Sequence, residues 1–323
     1  MAARQGCPDR CRRICAPGYG RTVTHRWITD KLGDAPFERL ASELTGSELQ
    51  SLLLEVMRRR AAARTPGDVL AQYQRDPFIR PAQVDQRVAV EVDGHLLAAA
   101  DAFTALELSP VTPLGTCSTV ALVDQNRVLS ALRGTEIVSD PTNVLALECA
   151  TRLRAAPDAA HHFATSQRVI RAQPAPKLPG YAQHFRIFVL VSGGRERADH
   201  GFAVASLALH IRTILRALDR LEQHGYRFGA RRVEIKTTAD GAPIGDRLAA
   251  ALGDLPIVRK PLDHAYYAGL RYNIWVTAPD GAELPLIDGG LCDWLAKLTS
   301  NRRHVLVATG MGAQLIPIVF RRA

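Results

Sequence analysis

Apolar residues recur at helical spacing through residues 36–60, where Phe37, Leu40, Leu44, Leu49, Leu52, Leu53, Val56 and Met57 fit one or two stripes. Thr65-Pro66-Gly67-Asp68 then opens a second helix, with Thr65 as its N-cap and Pro66 at its first position. A third helical stretch is expected over 81–102. Residues 103–108 alternate apolar and polar and stop at Ser109-Pro110, the pattern of a strand ended by proline. Beyond this point the periodicity switches repeatedly. Strands are expected at 116–123, 127–132, 135–139, 165–171, 184–192, 231–237, 270–277, 283–288 and 303–309. Helices are expected at 141–154, 197–224, 244–252 and 290–299. Turns, rather than regular crossover helices, join most strands. The pattern therefore predicts an α+β domain with a largely antiparallel sheet flanked by helices, preceded by a helical N-terminal segment.

Composition narrows the class. A hydrophobic fraction of 47% and a charged fraction of 23% over 323 residues are those of a globular protein and exclude a wholly disordered chain. No run of 18 or more apolar residues occurs, so no membrane-spanning helix is expected. The start, MAARQGCPDRCRRIC, has no apolar core of a secretory signal. A cytoplasmic location follows as the expectation. The net charge is +9, yet residues 1–33 alone hold seven basic and two acidic side chains. The basicity thus belongs mainly to a leader, expected to be disordered, and does not argue for a nucleic-acid-binding fold. Cys7, Cys11 and Cys15 recur every four residues in that leader. They would share a helix face, but match no familiar zinc or iron–sulfur spacing, and no metal site is assigned. Cys117, Cys149 and Cys292 sit among apolar neighbours and read as small buried hydrophobes.

Local motifs are sparse. Neither GxxxxGK[ST], HExxH, GxSxG nor a strand-linked GxGxxG occurs. His161-His162 reads as a solvated loop pair and Gly193-Gly194 as a turn. Residues 174–182, with Pro174, Pro176, Pro179 and Gly180, read as a loop long enough to close over a ligand.

Taken in order, the segments from about 80 to 320 resemble the catalytic core of class II aminoacyl-tRNA synthetases. The likeness is to the histidyl branch, which includes the regulatory subunit of ATP phosphoribosyltransferase. Helix 81–102 with AFTALELSP resembles motif 1, which implies a homodimer interface. IVSDPT resembles LRPEGT, which implies that Asp140 and Thr142 hold a substrate amino group. VIRAQP and HFRIF resemble the two halves of motif 2. They imply that Arg171 faces the α-phosphate and substrate carboxylate, that Gln173 replaces the usual Glu, that Phe188 stacks on adenine and that Arg186 lies nearby. HAYYAGLRYNIW resembles the histidine-recognition segment and implies roles for Tyr266 and Tyr267. LIDGGLCDWL resembles the glycine-rich element and implies roles for Gly289 and Gly290. VATGMGAQLI resembles motif 3.

The departures matter as much. Gln314 stands where motif 3 has an arginine, Leu262 replaces the arginine before the paired tyrosines, and Leu190 replaces a substrate-reading glutamine. Each lost arginine removes a donor of the kind often worth about 3–4 kcal/mol in a transition state. Arg271 and Arg195 are the cations left to compensate. The chain stops about ten residues after motif 3, which leaves no room for an anticodon-binding domain and argues against tRNA as a partner. The resemblance thus implies three regions: a leader at 1–33, a helical segment at 34–79 and a synthetase-like core at 80–323. It implies a dimeric regulatory or pseudo-synthetase protein that binds an amino-acid-like ligand or nucleotide and serves a partner enzyme. The alternative is a stand-alone ligase that uses ATP and Mg²⁺ to adenylate an amino acid for a non-tRNA acceptor.

Overall fold

The computed structural model describes residues 30–176, 178–253, 255–262 and 266–321. Cys7, Cys11, Cys15 and almost all of the basic leader lie outside them. The chain divides between Ala63 and Arg64 into two units. In the first, α1 (Asp34–Glu38) runs through a wide turn, Arg39–Glu43, before α2 (Gly46–Ala62). Thr45 starts α2 through a capping box, accepting from the Glu48 N–H at 3.3 Å and donating its own N–H to Glu48 at 2.8 Å. None of the α2 side chains is buried, so its apolar stripe is left half exposed.

The second unit begins with α3 (Pro66–Arg75), which Thr65 caps and Pro66 opens as the sequence predicts. Asp85 caps α4 (Gln86–Ala99). An eight-stranded sheet follows. Its order is β1 (Thr104–Ala105), β5 (His161–Ile170), β6 (His184–Arg195), β11 (His304–Met311), β10 (Glu283–Cys292), β9 (Leu270–Thr277), β7 (Arg231–Thr237), β8 (Ile257–Pro261). All neighbours are antiparallel except the two edge pairs, β1 with β5 and β7 with β8. A small second sheet joins β2 (Val111–Pro113), β4 (Thr135–Ile137) and β3 (Ser130–Ala131).

Three expected elements come out differently. Residues 116–120 form one turn of wide helix rather than a strand. The buried Glu136 carboxylate accepts the Gly115 and Cys117 N–H groups, each at 2.8 Å, and curls the segment around itself. Propensity could not anticipate a partner some twenty residues away. His161-His162 lies inside β5, and His162 Nδ1 is 2.6 Å from Ser192 Oγ. Gly193-Gly194 continues β6, because a Cβ at either position would lie within 3 Å of Cys149 or Phe202.

The two faces of the sheet differ. Helices α4, α6 (Gly201–Gln223) and α7 (Ala242–Leu252) supply one core cluster, with Leu96, Leu207, Ile211, Ile214, Leu218 and Leu248 against Phe188, Leu190, Ile235, Tyr272, Ile274, Val307 and Met311 of the strands. By length and composition α6 could cross a membrane; instead its apolar side is the centre of this core. On the other face α5 (Pro141–Ala155) and α8 (Trp294–Thr299) cover only part, packing Leu145, Cys149 and Leu295 on Phe163, Val189, Val191 and Leu306. The rest of that face is open.

Candidate functional site

The open part of the sheet forms a cleft of about 640 Å³. Its floor is the alternate set of strand residues, including Phe185 and Ile187 of β6, Ala308 and Gly310 of β11, Asp288 of β10 and Arg271 of β9. One wall is the first turn of α5 with Ser139, Asp140, Thr142 and Asn143. The proline-rich loop lies over another edge, and Tyr266 and Tyr267 close the far side.

Most residues singled out from the sequence meet here. Asp140 caps α5, its Oδ1 accepting from Thr142 N at 3.0 Å and from Thr142 Oγ1 at 2.7 Å. Arg171 donates from Nε to the Ser139 carbonyl at 3.1 Å and holds Nη2 3.9 Å from Asp140 Oδ2. Its guanidinium lies 5.2 Å from the centre of the Phe185 ring. Gln173 lines the cleft at the start of the loop. The Tyr266 and Tyr267 rings meet edge to face at 4.9 Å, and Tyr266 also abuts Trp294. Burial pushes the hydroxyls of both tyrosines far above their ordinary range, so they remain neutral donors.

Four expectations are corrected. Phe188 is completely buried and faces the helix-covered side with Met311, so it cannot stack on a ligand in the cleft. Strand alternation gives the cleft to Phe185 and Ile187 instead. Leu190 faces the covered side for the same reason. Arg186 borders the cleft, but its guanidinium is paired with Asp93 of α4. Gly289 and Gly290 do not line the cleft. A Cβ on Gly290 would sit 2.3 Å from the Leu270 carbonyl and 2.7 Å from the Tyr267 ring, so this glycine makes room for a site tyrosine. A Cβ on Gly289 would strike the Tyr272 ring and Thr309 on the other face.

The position that the resemblance matches to motif 3 is occupied by a side chain with both ends bonded. Gln314 is 6% exposed. Its Oε1 accepts from Arg168 at 3.3 Å and its Nε2 donates to the Gly180 carbonyl at 3.3 Å. Gly180 has φ +83°, and a Cβ there would lie 2.7 Å from Leu315, the first residue of α9 (Leu315–Val319). Gln314 and Leu315 thus hold the proline-rich loop against the end of β11.

The cleft holds further cations, of which the sequence had named Arg271 but not Arg127. Arg127 lines the cleft and forms no ion pair among the described residues. Arg271 lines it too, and donates to both oxygens of Asp288 at 2.8 and 3.2 Å. Arg195 pairs with Asp158 at 2.7 Å outside the cleft. The cleft is therefore not poor in positive charge; its cations come from other elements. Arg271 had been named as a compensating cation, whereas nothing local pointed to Arg127 or Asn143.

No protein-family model matches the sequence, and no curated protein matches it. Solved structures do. An ATP phosphoribosyltransferase regulatory subunit/histidyl-tRNA synthetase from Bacillus halodurans superposes with a TM-score of 0.58 at 13% identity, over 75% of this chain and 81% of that one. The fold is that of the class II aminoacyl-tRNA synthetase core. Histidyl-tRNA synthetase from Nostoc matches with a TM-score of 0.54 at 13% identity, over 73% of each chain. A threonyl-tRNA synthetase from Aeropyrum pernix matches with 0.55 at 12% identity, over 71% of this chain and 58% of that one.

Proposed function

We propose that this protein is a binding or regulatory relative of the histidyl synthetases that holds an amino-acid-like ligand in the cleft and does not charge tRNA. The carrying observation is the contrast along the cleft. Asp140, Thr142, Arg171, Tyr266 and Tyr267 are assembled at one end, while at the other Gln314 spends its buried amide on Arg168 and the Gly180 carbonyl. The first set suits an ammonium, a carboxylate and an apolar body. At the second, Gln314 brings no charge to the cleft, and Arg168, from which it accepts, is not among the residues that line it. The residues thus suit an amino acid and one anionic group better than ATP with Mg²⁺. The regulatory subunit named in the Bacillus halodurans match is the precedent, and a homodimer that serves a partner enzyme is the corresponding assembly.

A second reading draws on Arg127 and Arg171. Two guanidinium groups facing one cleft, the first without an ion pair among the described residues, suit an acyl-adenylate-forming ligase. Amino-acid-dependent ATP–pyrophosphate exchange with Mg²⁺ separates the two. The regulatory reading expects none, together with amino-acid-induced rises in melting temperature that Arg171→Ala abolishes. Exchange lost in Arg171→Ala would establish the ligase instead. Light scattering at micromolar concentration tests the dimer.

A further inference from the structure

Strand β10 carries a bulge beside the cleft. Trp275 of β9 pairs with Pro285, but its neighbour Ile274 pairs with Ile287, so Leu286 is an extra residue. The bulge changes which side chains face the cleft. Leu284 and Ile287 both pack on the helix-covered side, whereas Pro285 and Asp288 line the cleft. Strict alternation from Leu284 would have turned Asp288 under the helices. Bulges recur beside active sites, where they re-aim a side chain.

The carboxylate that the bulge turns outward is held firmly on one side. Its Oδ1 accepts from Arg271 Nε at 2.8 Å and from Asn273 Nδ2 at 3.2 Å. Asn273 is 3% exposed, and its amide is oriented from both ends: Nδ2 also donates to the Ile287 carbonyl at 3.2 Å, and Lys236 Nζ donates to Oδ1 at 3.4 Å. Asp288 Oδ2 accepts one bond among the described residues, from Arg271 Nη2 at 3.2 Å. The Asp288 side chain is 43% exposed and faces the cleft, so an oriented acceptor stays within reach of a ligand. An ion pair this exposed adds little to stability, so folding gives little reason to turn a carboxylate outward here. The pair lies beside the tyrosines, with the Arg271 guanidinium 5.7 Å from the centre of the Tyr267 ring. Arg271 already balances the charge of Asp288. An arriving carboxylate would meet Asp288, and an arriving cation would meet Arg271. An apolar group would strip water from Oδ2 and give it no bond. A neutral N–H donor completes the set.

We propose that Asp288 is a specificity-determining residue whose Oδ2 accepts from a neutral N–H donor, of the carboxamide kind, at the end of the ligand's side chain. This rests on the amino-acid reading above and adds to it the side chain that the cleft selects. The full chain is titrated by calorimetry with the isosteric pairs glutamine and glutamate, and asparagine and aspartate, and with lysine and leucine. The carboxamide of at least one pair is expected to bind about tenfold or more tighter than its acid, and tighter than lysine or leucine. In Asp288→Asn, the donors of Arg271 and Asn273 keep the amide oxygen on their side and turn the NH₂ toward the cleft. This variant is expected to weaken the carboxamide about tenfold and to narrow its preference over the acid to less than about twofold. Each amino acid that binds is also compared with its deamino acid, which keeps the carboxylate and side chain. The loss in Asp288→Asn should be equal for both, because Asp288 reads the side chain and not the ammonium group. Equal or tighter binding of the acid, lysine or leucine to the unsubstituted chain would overturn the proposal, and that comparison needs no variant to fold. An unchanged preference in Asp288→Asn, or a loss confined to the amino acid, would overturn it as well. Failure of every amino acid to bind the unsubstituted chain would instead overturn the amino-acid reading itself, and this assignment with it.

Discussion

Alternate residues of the same strands build two unlike faces. On β6, Phe188 and Leu190 enter the helix-covered core, whereas Phe185 and Ile187 floor the cleft. On β11, Val307 and Met311 are core and Ala308 and Gly310 are floor. Behind the floor, one set of buried polar atoms closes on itself. Tyr272 OH, Thr309 Oγ1, His210, Ser192 Oγ and His162 form one hydrogen-bonded chain with links of 2.6 to 2.8 Å. Facing the cleft, Arg127 has no ion pair among the described residues. Buried groups with their bonds complete stabilise the fold; groups whose bonds are missing are where a sequence departs from the demands of folding, and such departures concentrate at functional sites.

The largest expected effect tests the covered face. His210 is wholly buried, and burial, aided by the nearby His162, pushes its pKa down to about 3. An unfolded histidine titrates near 6.5. Above that pH neither state takes the proton. As pH falls below it, the unfolded chain gains a proton that the folded chain refuses until about 3. Stability attributable to His210 is therefore complete above pH 6.5 and lost on acidification, with a slope approaching about 1.4 kcal/mol per pH unit. Urea unfolding between pH 7 and 4 should show this slope, and His210→Gln should remove that part of it. An identical pH dependence in both proteins would break the picture of a sealed covered face.

Next in size is Phe188→Ala. It empties a fully buried position and should cost about 3–5 kcal/mol in denaturant unfolding. Binding of any cleft ligand to the remaining folded protein should be nearly unchanged. Near-wild-type stability combined with selective loss of nucleotide binding would mean that the faces are exchanged.

This residue also marks how far the sequence was legible. Strands 231–237 and 270–277, and the cap at Thr65, follow from local pattern and agree with the structure. The face of β6 did not follow. HFRIF has aromatic residues at 185 and 188, on opposite faces of a strand, and neither composition nor spacing decides which meets solvent. Arrangements set by distant partners were equally hidden. Glu136 curls 116–120, and Asp93 takes Arg186. Asp140 and Thr142 could be picked out from one short segment, IVSDPT, and Arg171 from another, VIRAQP. Arg127 could not, because it reaches the cleft from a connection with no motif of its own.

A mid-sized effect is expected where the two faces meet. Gln314→Arg introduces the residue type that the sequence resemblance implies there, but into a buried position. The new guanidinium would displace an oxygen that lies 3.3 Å from Arg168 and would oppose that like charge. The bond to the Gly180 carbonyl would need rebuilding as well. A loss of about 1–3 kcal/mol is expected, with no ATP-dependent rise in melting temperature. A variant that is as stable as the unsubstituted chain and is stabilised by ATP with Mg²⁺ would favour the ligase.

The smallest expected effect is the counterpart of Phe188→Ala on the other side of the strand. Phe185 is half-exposed, and its neighbour above is the Arg171 guanidinium at 5.2 Å. Phe185→Leu keeps much of the apolar floor but removes the flat ring under the cation. Contacts of this kind are worth about 0.5–1 kcal/mol at accessible sites. Unfolding free energy should therefore stay within about 1 kcal/mol, while affinity for an amino-acid ligand falls about two- to fivefold through a less firmly held Arg171. The deamino acid should lose as much as the amino acid, since the ring acts on the carboxylate end and not on the ammonium end. A loss confined to the amino acid would place Arg171 and Phe185 at the wrong end of the ligand. That result would reverse the orientation assigned along the open face while leaving the covered face as described.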